Sequence, residues 1–219
     1  MGYEAVLERI AETAHRVGRS PNEITLLVVS KGQTPDIIRS IYNKGQRLFG
    51  ENRVTELLSK KAALPADIQW HLIGHLQTNK VKAVLPHIQL LHALDRDSLL
   101  NEIAKRAVIP LPCLIEVKIA QEPTKHGVLP EEVELFIEKV LAEPKITLRG
   151  FMGMATLTKD KAQIRREFRL LRQIFDTARQ RYPEAPIDTL SMGMSNDFEL
   201  AIEEGSTLVR VGSAIFSPQ

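Results

Sequence analysis

Lys31 closes the apolar run Ile24-Thr-Leu-Leu-Val-Val-Ser-Lys31. A lysine at the end of a buried strand is placed where burial would lower its pKa and make the amine nucleophilic. A strand-end lysine can equally carry its ammonium into solvent, so Lys31 needs company. Far along the chain, Ser195-Asn196-Asp197 stands where a helix running to about position 204 would open. A helix start offers free backbone N–H groups and a favourable dipole to an anion. Gly212 would let backbone approach a phosphate, Ser213 adds a hydroxyl, and Arg210 brings a fixed positive charge. Ser195 as a plain helix cap and Gly212 as a tight bend explain the same residues more modestly. Together they suggest an amine nucleophile beside an anion cradle, with a cation between them.

Other patterns carry less. His71 and His75 are four apart in Trp70-His-Leu-Ile-Gly-His75, which on a helix would suggest metal. The segment reads as a strand end with no third ligand in sequence, so no metal site is expected. The chain has no Gly-x-x-x-x-Gly-Lys phosphate loop, no Gly-x-Gly-x-x-Gly fingerprint and no Gly-x-Ser-x-Gly elbow. Met152, Met154, Met192 and Met194 read as packing, and Cys113, in the run Pro112-Cys-Leu-Ile, reads as core.

The elements that must position these residues are short β-rich runs at 24–31, 48–51, 68–74, 88–94, 112–119, 146–154, 189–194 and 207–215. Several are apolar throughout, as strands buried on both faces of a parallel sheet are. Helical patterns lie between them. The clearest, 161–181, sets Ile164, Phe168, Leu171, Phe175 and Ala178 on one stripe. Arg165, Arg169 and Arg172 share another face, but Asp160, Glu167 and Asp176 are mixed in, which reads as a solvated surface. Strand and helix alternating this way indicate a single (β/α)8 TIM-type barrel over 1–219, slightly below the roughly 250 residues usual for that fold. An open doubly wound sheet is the alternative. The last strand is expected to lack a helix of its own, and an extra N-terminal helix over 3–17 would cover that gap. In such barrels chemistry gathers at the C-terminal strand ends, and phosphate is often held by the loops after strands seven and eight. Lys31, Asn52, Ser195, Arg210, Gly212 and Ser213 all fall there.

Composition agrees with a globular protein and removes several classes of function. Of the 219 residues 43% are hydrophobic and 26% charged, which excludes disorder, collagen and coiled coil. The 29 basic and 27 acidic residues are interspersed, so tight binding to nucleic acid or an anionic membrane is not expected. The N-terminus reads as neither a signal peptide nor a myristoylation site, since Val6 stands where that motif wants Ser or Thr. One cysteine permits no internal disulfide. A cytoplasmic location follows as the expectation.

At the residues singled out, the sequence resembles the pyridoxal phosphate homeostasis proteins. The matching segments are Val28-Val-Ser-Lys31, Phe49-Gly-Glu-Asn-Arg53, Trp70-His-Leu-Ile-Gly-His-Leu-Gln-Thr-Asn-Lys80, Gly150-Phe-Met-Gly-Met154, Leu190-Ser-Met-Gly-Met-Ser-Asn-Asp197 and Gly205-Ser-Thr-Leu-Val-Arg-Val-Gly-Ser-Ala-Ile-Phe216. The resemblance implies a barrel of the alanine racemase type, a fold-type III protein without the C-terminal β domain. It also implies pyridoxal 5′-phosphate (PLP) held as a covalent aldimine on Lys31, no established reaction, and a role in keeping that cofactor available. By the same resemblance Arg210 faces the pyridine nitrogen, Ser195, Gly212 and Ser213 form the phosphate site, and Asn52 lies near the ring. Lys125, in a lysine-bearing loop, is a weaker candidate for transient contact. Ser217 stands where the family has Gly, which affects a turn beyond the cradle.

An arginine at the ring nitrogen would leave it unprotonated and weaken the electron sink. The related racemases also draw a tyrosine acid/base from a second domain, whereas Tyr3, Tyr42 and Tyr182 fall in helices or a loop. A monomeric, non-catalytic carrier serving PLP-dependent apo-enzymes is therefore expected. The alternatives are a single-domain racemase-like enzyme and a barrel acting on a phosphorylated metabolite.

Overall fold

The computed structural model describes residues 2–122 and 126–216. Eight parallel strands close into a barrel in sequence order: β1 (Thr25–Val29), β2 (Leu48–Glu51), β3 (Gln69–Leu72), β4 (Leu90–Leu94), β5 (Leu111–Glu116), β6 (Ile146–Met152), β7 (Thr189–Ser191) and β8 (Leu208–Val211). The ring is sealed by β1 against β8, with Val28 opposite Val211. Because the strands are parallel, all their C-terminal ends lie on one rim. The open-sheet alternative is thereby excluded.

The helices are α1 (Tyr3–Arg16), α2 (Pro35–Tyr42), α3 (Val54–Ala63), α4 (Val81–Val84), α5 (Asp97–Arg106), α6 (Val133–Leu141), α7 (Lys161–Arg181), α8 (Phe198–Glu203) and α9 (Ser213–Phe216). Helix α2 starts on Pro35 behind a Thr34 cap, and α7 starts behind Asp160, whose carboxylate accepts from Ala162 N at 2.9 Å. A proline in the first turn and an acid at the cap satisfy donors that have no helical partner. On α7 the stripe from Ile164 to Ala178 is buried, while Arg165 and Arg169 pair with Glu204, and Arg172 pairs with Asp176. The arginines of that face are neutralised by acids, as its composition suggested.

The strands are shorter than the apolar runs, mostly at their C-terminal ends. Residues 30–31, 192–194 and 212–215 leave the ladders to build the rim. Beyond Val211 the chain turns at Gly212 into α9, so the last strand does have a short helix of its own, contrary to expectation. Helix α1 packs against both α8 and α9, with Gly2 N donating to Ala214 O at 3.3 Å and Arg9 pairing with Glu199 at 2.7 Å. It thus covers the seam left by so short a final helix. Among the described residues no helix is long and apolar enough to cross a membrane. Cys113 is fully buried in β5, and burial pushes its thiol pKa up, as expected of core.

Candidate functional site

At the rim, Lys31 sits between two anchored neighbours. Ser30 is buried and donates from Oγ to Glu51 Oε1 at 2.6 Å. Lys60, reaching in from α3, donates to Ser30 O at 2.7 Å and to Glu51 Oε1 at 2.6 Å. On the other side Gly32, at φ +72°, donates its amide to Glu56 Oε2 at 3.1 Å. The backbone of Lys31 is therefore fixed while its side chain is exposed. The burial that the sequence suggested for this amine is absent, because the chain has left the strand two residues earlier.

Asn52 follows β2, and its Oδ1 is buried without a hydrogen-bond partner among the described residues. An unsatisfied buried acceptor costs about 1–3 kcal/mol, so its persistence marks a place where a donor is wanted. Its backbone is held by close contact with Gly74, where an added Cβ would lie 2.3 Å from Asn52 O.

The loops after β7 and β8 meet at Ser195. Its Oγ accepts from Gly212 N and Ala214 N, each at 3.3 Å. Ser195 is thus neither the cap of α8, which begins at Phe198 behind Asp197, nor an isolated hydroxyl. It ties the two loops together. The amides of Ser195, Asn196 and Ser213 donate to no acceptor among the described residues, and free backbone N–H groups on two loops that meet suit an anion. Helix α8 is only a short segment, and the loop amides rather than its dipole make the cradle.

Gly212 also makes a contact that the sequence did not reveal. A Cβ there would lie 2.8 Å from Val29 O and 3.2 Å from Val29 Cβ. The missing side chain lets the β8–α9 loop close on β1, the strand that leads to Lys31. Because the obstacle is backbone, Gly212→Ala must shift the loop, a change that typically costs about 1–3 kcal/mol. We expect it to weaken phosphate-ester binding by about tenfold while leaving the melting transition cooperative. Equilibrium titration with circular dichroism checks both, and unchanged affinity would contradict this role.

Arg210 is buried inside the barrel, with Nη1 donating to Ser191 O at 2.8 Å and Ser191 Oγ at 2.6 Å, and Nη2 to Gly153 O at 3.0 Å. Burial lowers its pKa to about 10, while the nearby charges of Asp197 and Glu116 pull the other way. It remains a cation at neutral pH. Ser191 in turn meets His92 Nδ1 at 3.1 Å, and His92 Nε2 meets His71 Nδ1 at 3.0 Å. A buried polar chain thus crosses the barrel from β3 to β8. Burial drives His71 down to about 3, and His92 is pushed well below the ordinary value by burial, then by His71 and Arg210.

His71 and His75 therefore do not share a site. His71 belongs to this interior chain, while His75 stands at the rim beside Asp95 and His126. Sequence reasoning missed His92 and Lys60. His92 is the one polar residue in the buried strand Leu-Leu-His-Ala-Leu, which was the available signal. Lys60 gave none, since a lysine on an amphipathic helix ordinarily faces water. Met152 and Met192 are buried packing as expected. Lys125 and Ser217 lie outside the described residues.

A family model described as the alanine racemase N-terminal domain matches residues 4–219. The chain is 45% identical over 215 residues to the pyridoxal phosphate homeostasis protein of Aquifex aeolicus, covering 96% of this chain and 94% of that one. It is 39% identical over 221 residues to the protein of the same name from Escherichia coli K12, covering 96% and 92%. Among solved structures, PipY of Synechococcus elongatus with PLP bound superposes with a TM-score of 0.84 at 32% identity, over 97% of this chain and 100% of that one. Alanine racemase from Corynebacterium glutamicum superposes with a TM-score of 0.76 at 15% identity, over 99% of this chain and 62% of that one, a likeness of fold.

Proposed function

Because the chain belongs to the pyridoxal phosphate homeostasis proteins, a family built on the alanine racemase N-terminal domain, we propose that it is a carrier. In this reading it holds PLP covalently on Lys31 and keeps it available to apo-enzymes without turning over a substrate. The observation that carries the reading is the contact of Gly212 with Val29, which draws the anion cradle against the strand that leads to the lysine. PLP supplies, when bound, an aldehyde that condenses reversibly with a primary amine and releases water.

The residues divide the work. The Ser195, Asn196 and Ser213 amides would receive the phosphate, and Asn52 Oδ1 would take a donor. Arg210, cationic and held by Ser191 and Gly153, would keep a pyridine nitrogen facing it unprotonated and so withhold the electron withdrawal on which amino-acid chemistry depends. Lys31, anchored in backbone and exposed in side chain, stays within reach of competing amines, which favours release. Tyr3 and Tyr42 donate to Gln46 and Asp67, just before β2 and β3. Both hydroxyls therefore lie at the opposite end of the barrel from the rim. A tyrosine acid/base at the site has no candidate among them. In this reading the chain works as a monomer in the cytoplasm, and the free, buried thiol of Cys113 suits a reducing compartment.

The test is transfer. Protein loaded with PLP is mixed with an apo-enzyme that requires it, and enzyme activity is followed together with the carrier's visible absorption. The reading predicts activation in step with loss of that absorption. It also predicts no deuterium at Cα of amino acids incubated with the protein in heavy water. Deuterium incorporation would establish the racemase-like alternative, and failure to take up PLP would leave a barrel for a phosphorylated metabolite.

A further inference from the structure

Across the ring from β8, the loops after β3, β4 and β5 bring together His75, Asp95 and His126, with one donor atom of each lying within 4.8 Å of the others. His75 Nδ1 is 3.2 Å from Asp95 Oδ2, and the two imidazoles stack with centroids 4.7 Å apart. We propose that these three residues bind a divalent transition ion of the zinc class, at a site distinct from the cofactor cradle and independent of the carrier reading.

The chemistry of the donors supports this. Two imidazoles and a carboxylate, with no sulfur, suit Zn²⁺, Co²⁺ or Ni²⁺ rather than Ca²⁺ or Mg²⁺. Metal–ligand bonds of about 2.0–2.2 Å place neighbouring tetrahedral donors about 3.4 Å apart, close to the His75–Asp95 separation. The carboxylate is prepared for the purpose. Its side chain is 5% exposed, and Arg96 holds Oδ1 at 2.5 Å while its own Nη2 is fixed on Leu76 O at 2.7 Å. Oδ2 is thereby turned toward His75. Support of a ligating carboxylate by a neighbouring donor is what orients metal ligands elsewhere. His126 completes the set from an exposed loop. Three protein donors leave a tetrahedral position for water or a carboxylate oxygen.

A plain hydrogen-bonded cluster, with Arg96 Nη1 on Asp95 Oδ1 and 3.4 Å from His75 Nδ1, is the competing account, and metal titration separates the two. The untagged protein is titrated with Co²⁺ by visible absorption and with Zn²⁺ by calorimetry. The expected result is saturable one-to-one binding, with ligand-field bands that Zn²⁺ abolishes. His126→Ala and Asp95→Asn should each weaken it at least tenfold, and His15→Ala, on the exposed face of α1, should leave it intact. His126 is exposed, so its variant tests the ligand without threatening the fold. Absence of saturable binding, binding that survives His126→Ala, or equal loss in His15→Ala would overturn the proposal.

Discussion

Lys31→Ala should abolish the visible absorption that PLP gives with the protein and leave no adduct after borohydride. Residual affinity would then come from the cradle and Asn52 alone. Loss of a covalent bond should weaken retention by at least a hundredfold, or about 3 kcal/mol. The fold should be indifferent, because Lys31 is exposed and the anchoring falls on its neighbours: Ser30 on Glu51 and Lys60, and Gly32 on Glu56. Surface substitutions of this kind usually change stability by less than about 0.5 kcal/mol. Equilibrium dialysis and urea unfolding of the same preparation measure the two effects. A variant that still gives the absorption would remove Lys31 from its assigned place, and one that unfolds would reassign it to structure.

The second large effect is acid sensitivity arising from the buried histidines. His71 titrates near 3 in the folded protein against 6.5 when free, and His92 lies well below 6.5. For a group whose folded pKa is depressed, stability is present above the unfolded value and lost as pH falls toward the folded one. Each such histidine costs about 1.4 kcal/mol per pH unit below 6.5, because the unfolded chain takes up a proton that the folded chain refuses. Two of them together should remove roughly 3 kcal/mol between pH 6.5 and 5, a large share of the stability of an ordinary domain. Glu51 works in the opposite sense. Desolvation raises its folded pKa, outweighing the hydrogen bonds from Lys60 and Ser30. Its contribution is therefore present below 4.5 and lost as pH rises through the folded value, which offsets part of one histidine's effect on acidification. Urea unfolding at a series of pH values should show this slope, reduced by about one proton in His92→Asn. An unchanged slope in that variant would mean that the His71–His92–Ser191 chain is not closed to protons.

The barrel was readable because its strands are continuous apolar runs, and a parallel sheet covered by helices needs them apolar on both faces. Lys31 and Asn52 were visible for the converse reason, as polar residues directly after such runs. What escaped were contacts that no local pattern encodes. Gly212 was singled out as a close approach, yet its partner proved to be Val29, far away in sequence, and only the closure of β8 on β1 makes them neighbours. Nothing in the local pattern separates Lys60 from a solvent-facing helical lysine; only the packing of α3 aims it at Ser30 and Glu51. The His71–His75 spacing drew attention to the wrong pair, since β3 ends at Leu72 and the loop beyond it carries His75 away to the rim. The partners of each histidine, His92 on β4 for one and Asp95 with His126 in the loops after β4 and β5 for the other, are brought beside β3 only by the closed ring.

The central claim is that Lys31 is the residue that holds PLP. Borohydride reduction of the loaded protein, followed by proteolysis and tandem mass spectrometry, locates the bond directly. The account predicts a phosphopyridoxyl group on the peptide containing Lys31, in near-stoichiometric amount. The same group on Lys60, Lys118 or Lys125 with Lys31 unmodified would contradict it.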